Sequence, residues 1–182
     1  MVRQVDYQFN DSIVLSDGEY ALAVTLSEAS LATFKETRGY YRNTANSHLI
    51  GRVGEIGVAR WFEDAGYSVD RLFEQAGRER ECDLMCDGRR VEVKTWTAQW
   101  WPAWGRCVAV GQLAALAQKA DFVLWATAEV DRDSAAVDLQ GWSSIEDVRA
   151  APVLWTGPEG KKVRNHQLEP SALRPITRLR ER

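Results

Sequence analysis

The chain has 182 residues, 45% hydrophobic and 27% charged, with a net charge of −3. That length suits one packed core rather than two, so a single domain is expected, with residues 1–45 as an N-terminal arm and helix, 47–130 as core and 135–182 as a C-terminal extension. The balance excludes a strongly basic nucleic-acid-coating protein, no apolar run approaches the roughly 20 residues of a membrane span, and residues 1–10 lack a signal peptide's apolar centre, so a cytoplasmic location is expected.

In chain order, residues 6–24 mix short apolar runs with Ser16-Asp17-Gly18, a turn signal, and read as a peripheral hairpin or arm. Residues 27–36 predict a short helix capped by Ser27. A longer helix is predicted over 47–65, ended by Gly66 as a left-handed cap. Its apolar stripe is Ile50, Val53, Gly57, Val58, Trp61 and Ala65, and Glu55 falls beside that stripe, where a helix carboxylate points into a cleft or into solvent. Gly51, Gly54 and Gly57 each cost about 1 kcal/mol against alanine in a helix interior, and close packing on a sheet would offset that loss.

The most informative stretch follows. Asp87-Gly88 is the central pair of a type I′ hairpin turn, which sets Cys86 opposite Arg89 and therefore Asp83 opposite Glu92. Side chains alternate along a strand, so Cys82, Leu84, Val91 and Val93 share an apolar face while Asp83, Glu92 and Lys94 share the other. Two carboxylates with Cβ atoms roughly 5 Å apart repel unless a proton or cation lies between them. Oxygen ligands at that spacing suit Mg²⁺ or Mn²⁺, whose chemistry includes phosphodiester hydrolysis, and Lys94 is placed to orient water or stabilise negative charge. A solvated ladder of alternating charges is the other reading of the same hairpin.

Beyond the hairpin, residues 106–110 predict a strand, 111–119 a helix and 122–130 an apolar central strand. A returning strand is predicted over 135–142, a capped turn over 143–149, a last strand over 163–168 and a mostly helical end over 170–179. The pattern is α/β, with a mixed sheet of about five strands flanked by helices. Arginines and lysines cluster at Arg38, Arg42 and Arg52, at Arg78 and Arg80, at Arg89 and Arg90, at Lys161, Lys162 and Arg164, and at Arg174, Arg178, Arg180 and Arg182, as solvated faces or phosphate contacts. Cys82, Cys86 and Cys107 form no CxxC pair and read as reduced, buried thiols. The run from Trp96 through Trp100 and Trp101 to Trp104 begins two residues past Lys94, and serves either to stack on substrate bases or to cover apolar surface.

Gly54-Glu55 on a helix, Asp83 on a strand, Glu92-Val93-Lys94 on the next and Gln112 opening the following helix together resemble the PD-(D/E)xK nuclease superfamily, which includes restriction endonucleases and Holliday junction resolvases. The resemblance runs over roughly Arg52 to Ala128 as an order of elements, and Cys82 stands where the superfamily name has proline. It implies a restriction endonuclease-like αβββαβ core and a metal-dependent DNA nuclease, more specifically an endonuclease. Glu55, Asp83, Glu92 and the backbone carbonyl of Val93 would bind one or two Mg²⁺ or Mn²⁺ ions, and Lys94 would be the catalytic lysine. Gln112, Arg52, Trp96 and Trp100 would contact DNA, and a homodimer would cut two strands symmetrically. The alternative is a non-catalytic nucleic-acid-binding or scaffolding protein on the same fold.

Overall fold

The computed structural model describes residues 12–34, 45–75, 81–157, 159–160 and 162–179. The start of the expected arm, and Arg38, Arg42, Arg78, Arg80, Lys161, Arg180 and Arg182, lie outside the described residues.

Strand β1 (Ser12–Val14) leads into helix α1 (Asp17–Phe34), which starts ten residues before the expected cap at Ser27. Ser16-Asp17-Gly18-Glu19 is a capping box rather than a turn: the Ser16 N–H donates to Glu19 Oε2 at 2.7 Å, and the Glu19 N–H to Ser16 Oγ at 3.4 Å. Ser27 lies mid-helix, buried, its hydroxyl donating to the Val24 carbonyl. Helix α2 (Ala45–Asp64) ends as expected, with Gly66 at φ +86°. It is buried almost all round, Ala59 and Phe62 included, because α1 covers one side and the sheet the other.

Strands β2 (Val69–Asp70), β3 (Leu84–Cys86) and β4 (Arg89–Thr97) form an antiparallel meander, and the β3–β4 register is the expected one, Leu84 with Val91 and Cys86 with Arg89. Asp87 and Gly88 have φ of 46° and 76°, the two positive values of a type I′ turn. Helix α3 (Trp101–Trp104) and strand β5 (Cys107–Ala109) follow, then a 3₁₀ turn, Val110–Gln112, and helix α4 (Leu113–Lys119). Strand β6 (Phe122–Val130) runs parallel to β4 and is buried on both faces from Phe122 to Ala128; β7 (Ala135–Ser144) returns antiparallel to it. Helix α5 (Ile145–Ala150) is capped by a reciprocal Ser144–Asp147 box, and β8 (Val153–Thr156) and β9 (Val163–Gln167) complete the strands.

The main sheet is mixed and six-stranded, in the order β1-β7-β6-β4-β3-β2. The expected strand near 106–110 is not part of it: β5 pairs with β9 in a second sheet, β5-β9-β8, whose edge strand β8 carried no alternation to reveal it. From α2 the elements run α2-β2-β3-β4, then α4 as the crossover to parallel β6. One core lies between α1, α2 and the sheet; a second, around Val108, Leu116, Val123, Trp125 and Val148, fills the opposite face. The C-terminal end is two 3₁₀ turns, Pro170–Ala172 and Ile176–Leu179, rather than a helix, because Arg174 between them exchanges backbone hydrogen bonds with Trp142. All three cysteines are buried thiols outside any disulfide. No helix among the described residues is long and apolar enough to cross a membrane.

Candidate active site

The hairpin register delivers the site's first half. The paired register ends at Leu84 with Val91; Asp83, just before β3, donates its N–H to the same Val91's carbonyl at 3.1 Å and so lies at the irregular end of the ladder, beside β4. Asp83 Oδ2 accepts the Val93 N–H at 2.7 Å. Peptide groups alternate sides along a strand, so the Val93 carbonyl also faces the Asp83 side of β4. Glu92 is only 3% exposed and lies between two ammonium groups, Lys94 Nζ at 2.6 Å from Oε1 and Lys119 Nζ at 2.5 Å from Oε2.

The second half comes from α2. A Cβ on Gly54 would stand 2.7 Å from both Cβ and Cγ2 of Thr95 on β4, and one on Gly57 would stand 2.7 Å from Val137 Cγ2 on β7. Only glycine allows the helix to approach the sheet this closely, and the approach brings Glu55 to the hairpin. Gly51 has open space and takes no part in that contact. Glu55 Oε2 accepts from Arg52 Nη1 at 2.6 Å, and Arg52 also donates to the Phe73 carbonyl.

The carboxylates share one electrostatic neighbourhood. Burial pushes the Asp83 carboxyl well above its usual range, and the charges of Glu92 and Glu55 push it further. Burial also raises Glu55, partly countered by Arg52. Burial would raise Glu92 too, but Lys94 and Lys119 outweigh it and hold the group below its usual value. For Lys94 burial favours the neutral amine, yet Glu92 and Asp83 prevail and raise its pKa, so the side chain is an ammonium. Asp83, Glu55, Arg52 and Lys119 line a cavity of about 280 Å³ walled by α1 and by Leu72 and Phe73. A neighbouring cavity of about 620 Å³ shares Cys82 and Lys119 with it and extends to Arg90.

The donors suit a hard divalent cation, being carboxylate and carbonyl oxygens. Oε1 of Glu55 and Oδ1 of Asp83 have no hydrogen-bond partner among the described residues. Glu92 is different, since both oxygens are held by lysines. Among the described residues no three His, Cys, Asp or Glu side chains stand grouped to hold a metal ion.

Of the residues singled out in the sequence, Glu55, Asp83, Glu92 and Lys94 are brought together, with Arg52 serving Glu55 as ion-pair partner. Gln112 is exposed and does not line the cavity. Lys119, at the other end of α4 and about 10 Å away by helical rise, takes that place. Its only sequence signal is its position just before the strand at Phe122, which marks the site once β6 is known to pair in parallel with β4. Trp96 is half-buried, and Trp100 is exposed and stacked on Trp104. The other described basic residues are mostly engaged internally: Arg90 pairs with Asp121, Arg174 with Asp147, and Arg89 lies over the Phe122 ring.

Compared with protein-family models, with curated proteins and with solved structures, the chain matches none.

Proposed function

We propose that the protein is a cytoplasmic Mg²⁺- or Mn²⁺-dependent deoxyribonuclease of the PD-(D/E)xK type, an endonuclease acting through a restriction endonuclease-like core. The observation that carries this reading is the meeting of Glu55 from α2, Asp83 just before β3, and Glu92 and Lys94 from β4, in a main-sheet order α2-β2-β3-β4-α4-β6 into which α3 and β5 are inserted before α4.

Glu55, Asp83, Glu92 and the Val93 carbonyl would hold the cation. Once bound, it supplies Lewis acidity that neutralises charge at the phosphate and eases deprotonation of the attacking water. The water oxygen bonds to phosphorus, the P–O bond to the leaving nucleoside breaks, and the departing oxygen takes up a proton. Lys94, kept as an ammonium by Glu92 and Asp83, stabilises the charge that builds on the phosphate oxygens. Arg52 orients Glu55.

The test is cleavage of plasmid, linear, single-stranded and branched DNA in Mg²⁺, Mn²⁺ or EDTA. Cleavage should require the divalent ion, and Asp83→Ala and Lys94→Ala should each lower it by roughly 100-fold or more. Unchanged activity in either variant defeats the assignment. The lysine-locked Glu92 favours a second reading, a non-catalytic nucleic-acid-binding or scaffolding protein on this fold, which predicts DNA binding without cleavage and no thermal shift with Mn²⁺. A homodimer belongs to the first reading and is checked by light scattering with and without DNA.

A further inference from the structure

The tryptophan run divides into two parts. Trp101 is a packing residue: its ring lies against the second core, and the Arg106 guanidinium sits 5.0 Å from the ring centroid. Trp100 and Trp104 are not consumed in this way. Their rings stack in parallel, 4.5 Å apart and 13° from coplanar, and Trp100 remains 43% exposed although stacked on Trp104.

The turn that presents them is tightly held. The Trp100 N–H donates to the Thr97 carbonyl and the Trp104 N–H to the Trp100 carbonyl. Arg106, itself buried and at φ +60°, donates to the carbonyls of Trp101 at 3.1 Å, Pro102 at 3.4 Å and Leu168 at 3.2 Å. Gln167 donates to the Gly105 carbonyl at 2.6 Å, and a Cβ on Gly105 would meet the Trp101 carbonyl at 2.6 Å. A buried cation spent on carbonyls and a left-handed non-glycine residue both cost free energy, which the order of this turn offsets.

A flat, rigid indole pair suits the π-face of an unpaired base, which stacks without regard to sequence. No residue from Trp96 to Gly105 is charged, so the platform itself attracts no phosphate. Cations stand instead at Lys94, on the strand that ends in this turn. Lys94 lies about 10 Å of strand before Thr97, whose carbonyl accepts the Trp100 N–H.

We infer that Trp100, backed by Trp104, is a stacking platform for an unpaired nucleobase, and that the site's substrate is a single-stranded or locally unpaired nucleic acid. This rests on the nuclease reading above. Binding is measured in EDTA, without cleavage, by anisotropy of a fluorescein-labelled oligothymidylate and of a blunt duplex of equal length. Trp100→Ala should weaken the single strand by about 5- to 100-fold and the duplex by less than about twofold, with Trp100→Phe recovering most of the loss. Trp155→Ala, at an exposed tryptophan on the second sheet, should change neither. Equal single-strand binding by Trp100→Ala overturns the platform, as does equal loss for both substrates or failure of the wild type to bind the single strand. Loss of self-association in Trp100→Ala with oligonucleotide binding intact also overturns it, in favour of a protein contact. The two readings fail separately: binding that depends on Trp100 without any divalent-dependent cleavage sinks the nuclease alone, and Asp83-dependent cleavage indifferent to Trp100 sinks the platform alone.

Discussion

Two alanine substitutions on one helix should separate in stability by about 1–3 kcal/mol. In an isolated helix Gly51→Ala and Gly54→Ala gain the same amount, about 1 kcal/mol. At Gly51 nothing stands within 4 Å of the new Cβ, so the gain survives and raises Tm by roughly 2–4 °C for a chain of this size. At Gly54 the new Cβ meets Thr95, whose own Cβ and Cγ2 would lie at 2.7 Å, about 0.7 Å inside ordinary contact at 3.4 Å. Thr95 Cβ is fixed by the strand backbone and cannot swing away, so α2 must retreat. Overpacking of this kind costs about 1–3 kcal/mol, which cancels or reverses the propensity gain and separates the two variants by about that amount. Urea unfolding of both, read as midpoint with slope checked, measures the difference. Thr95→Ala should rescue Gly54→Ala only in part, because the Thr95 Cβ contact remains. Gly54→Ala as stable as Gly51→Ala would refute the close helix–sheet approach, and with it the reason Glu55 reaches the hairpin.

The remaining predictions concern charge. Asp83 has a folded pKa raised above its ordinary 3.8, so the native state binds its proton more tightly than the unfolded chain does, and stability falls as pH rises through the window above about 3.8. Asp83→Asn should remove that loss and stabilise the metal-free protein at neutral pH; thermal melts across pH check it, and a variant less stable than wild type at pH 7 sinks the argument. Lys119→Met should destabilise by about 1–3 kcal/mol, less than the 3–5 of a fully buried pair, because Lys119 is a quarter exposed and Lys94 still holds Glu92. Combining it with Glu92→Gln should recover only part of that loss in urea unfolding, since the buried charge disappears with its partner while Lys94 loses Glu92 too.

Much of the site was legible before any fold was known, because hairpin register is a local property. Asp87-Gly88 takes positive φ at both positions, which sets the β3–β4 register, Leu84 with Val91 and Cys86 with Arg89, and so puts Glu92 and Lys94 on one strand face with Asp83 just beyond the paired residues. The ends of α2 and β6 were similarly local, written in Gly66 and in an unbroken apolar run. The start of α1 was legible too, since Ser16 and Glu19 form a capping box that the Asp17-Gly18 turn signal obscured.

Tertiary structure decided what depends on chain segments far apart. Lys119 reaches Glu92 because α4 is the crossover between parallel strands, and no spacing along the chain encodes a contact across 27 residues. Gly51 and Gly54 look alike in the sequence, yet only Gly54 faces Thr95. Strand β5 and its sheet depend on β9, nearly sixty residues later. Local backbone chemistry determined which residues share a strand face. Packing determined which cations and which helix carboxylate meet them there, because burial and pairing are set by neighbours the local sequence does not contain.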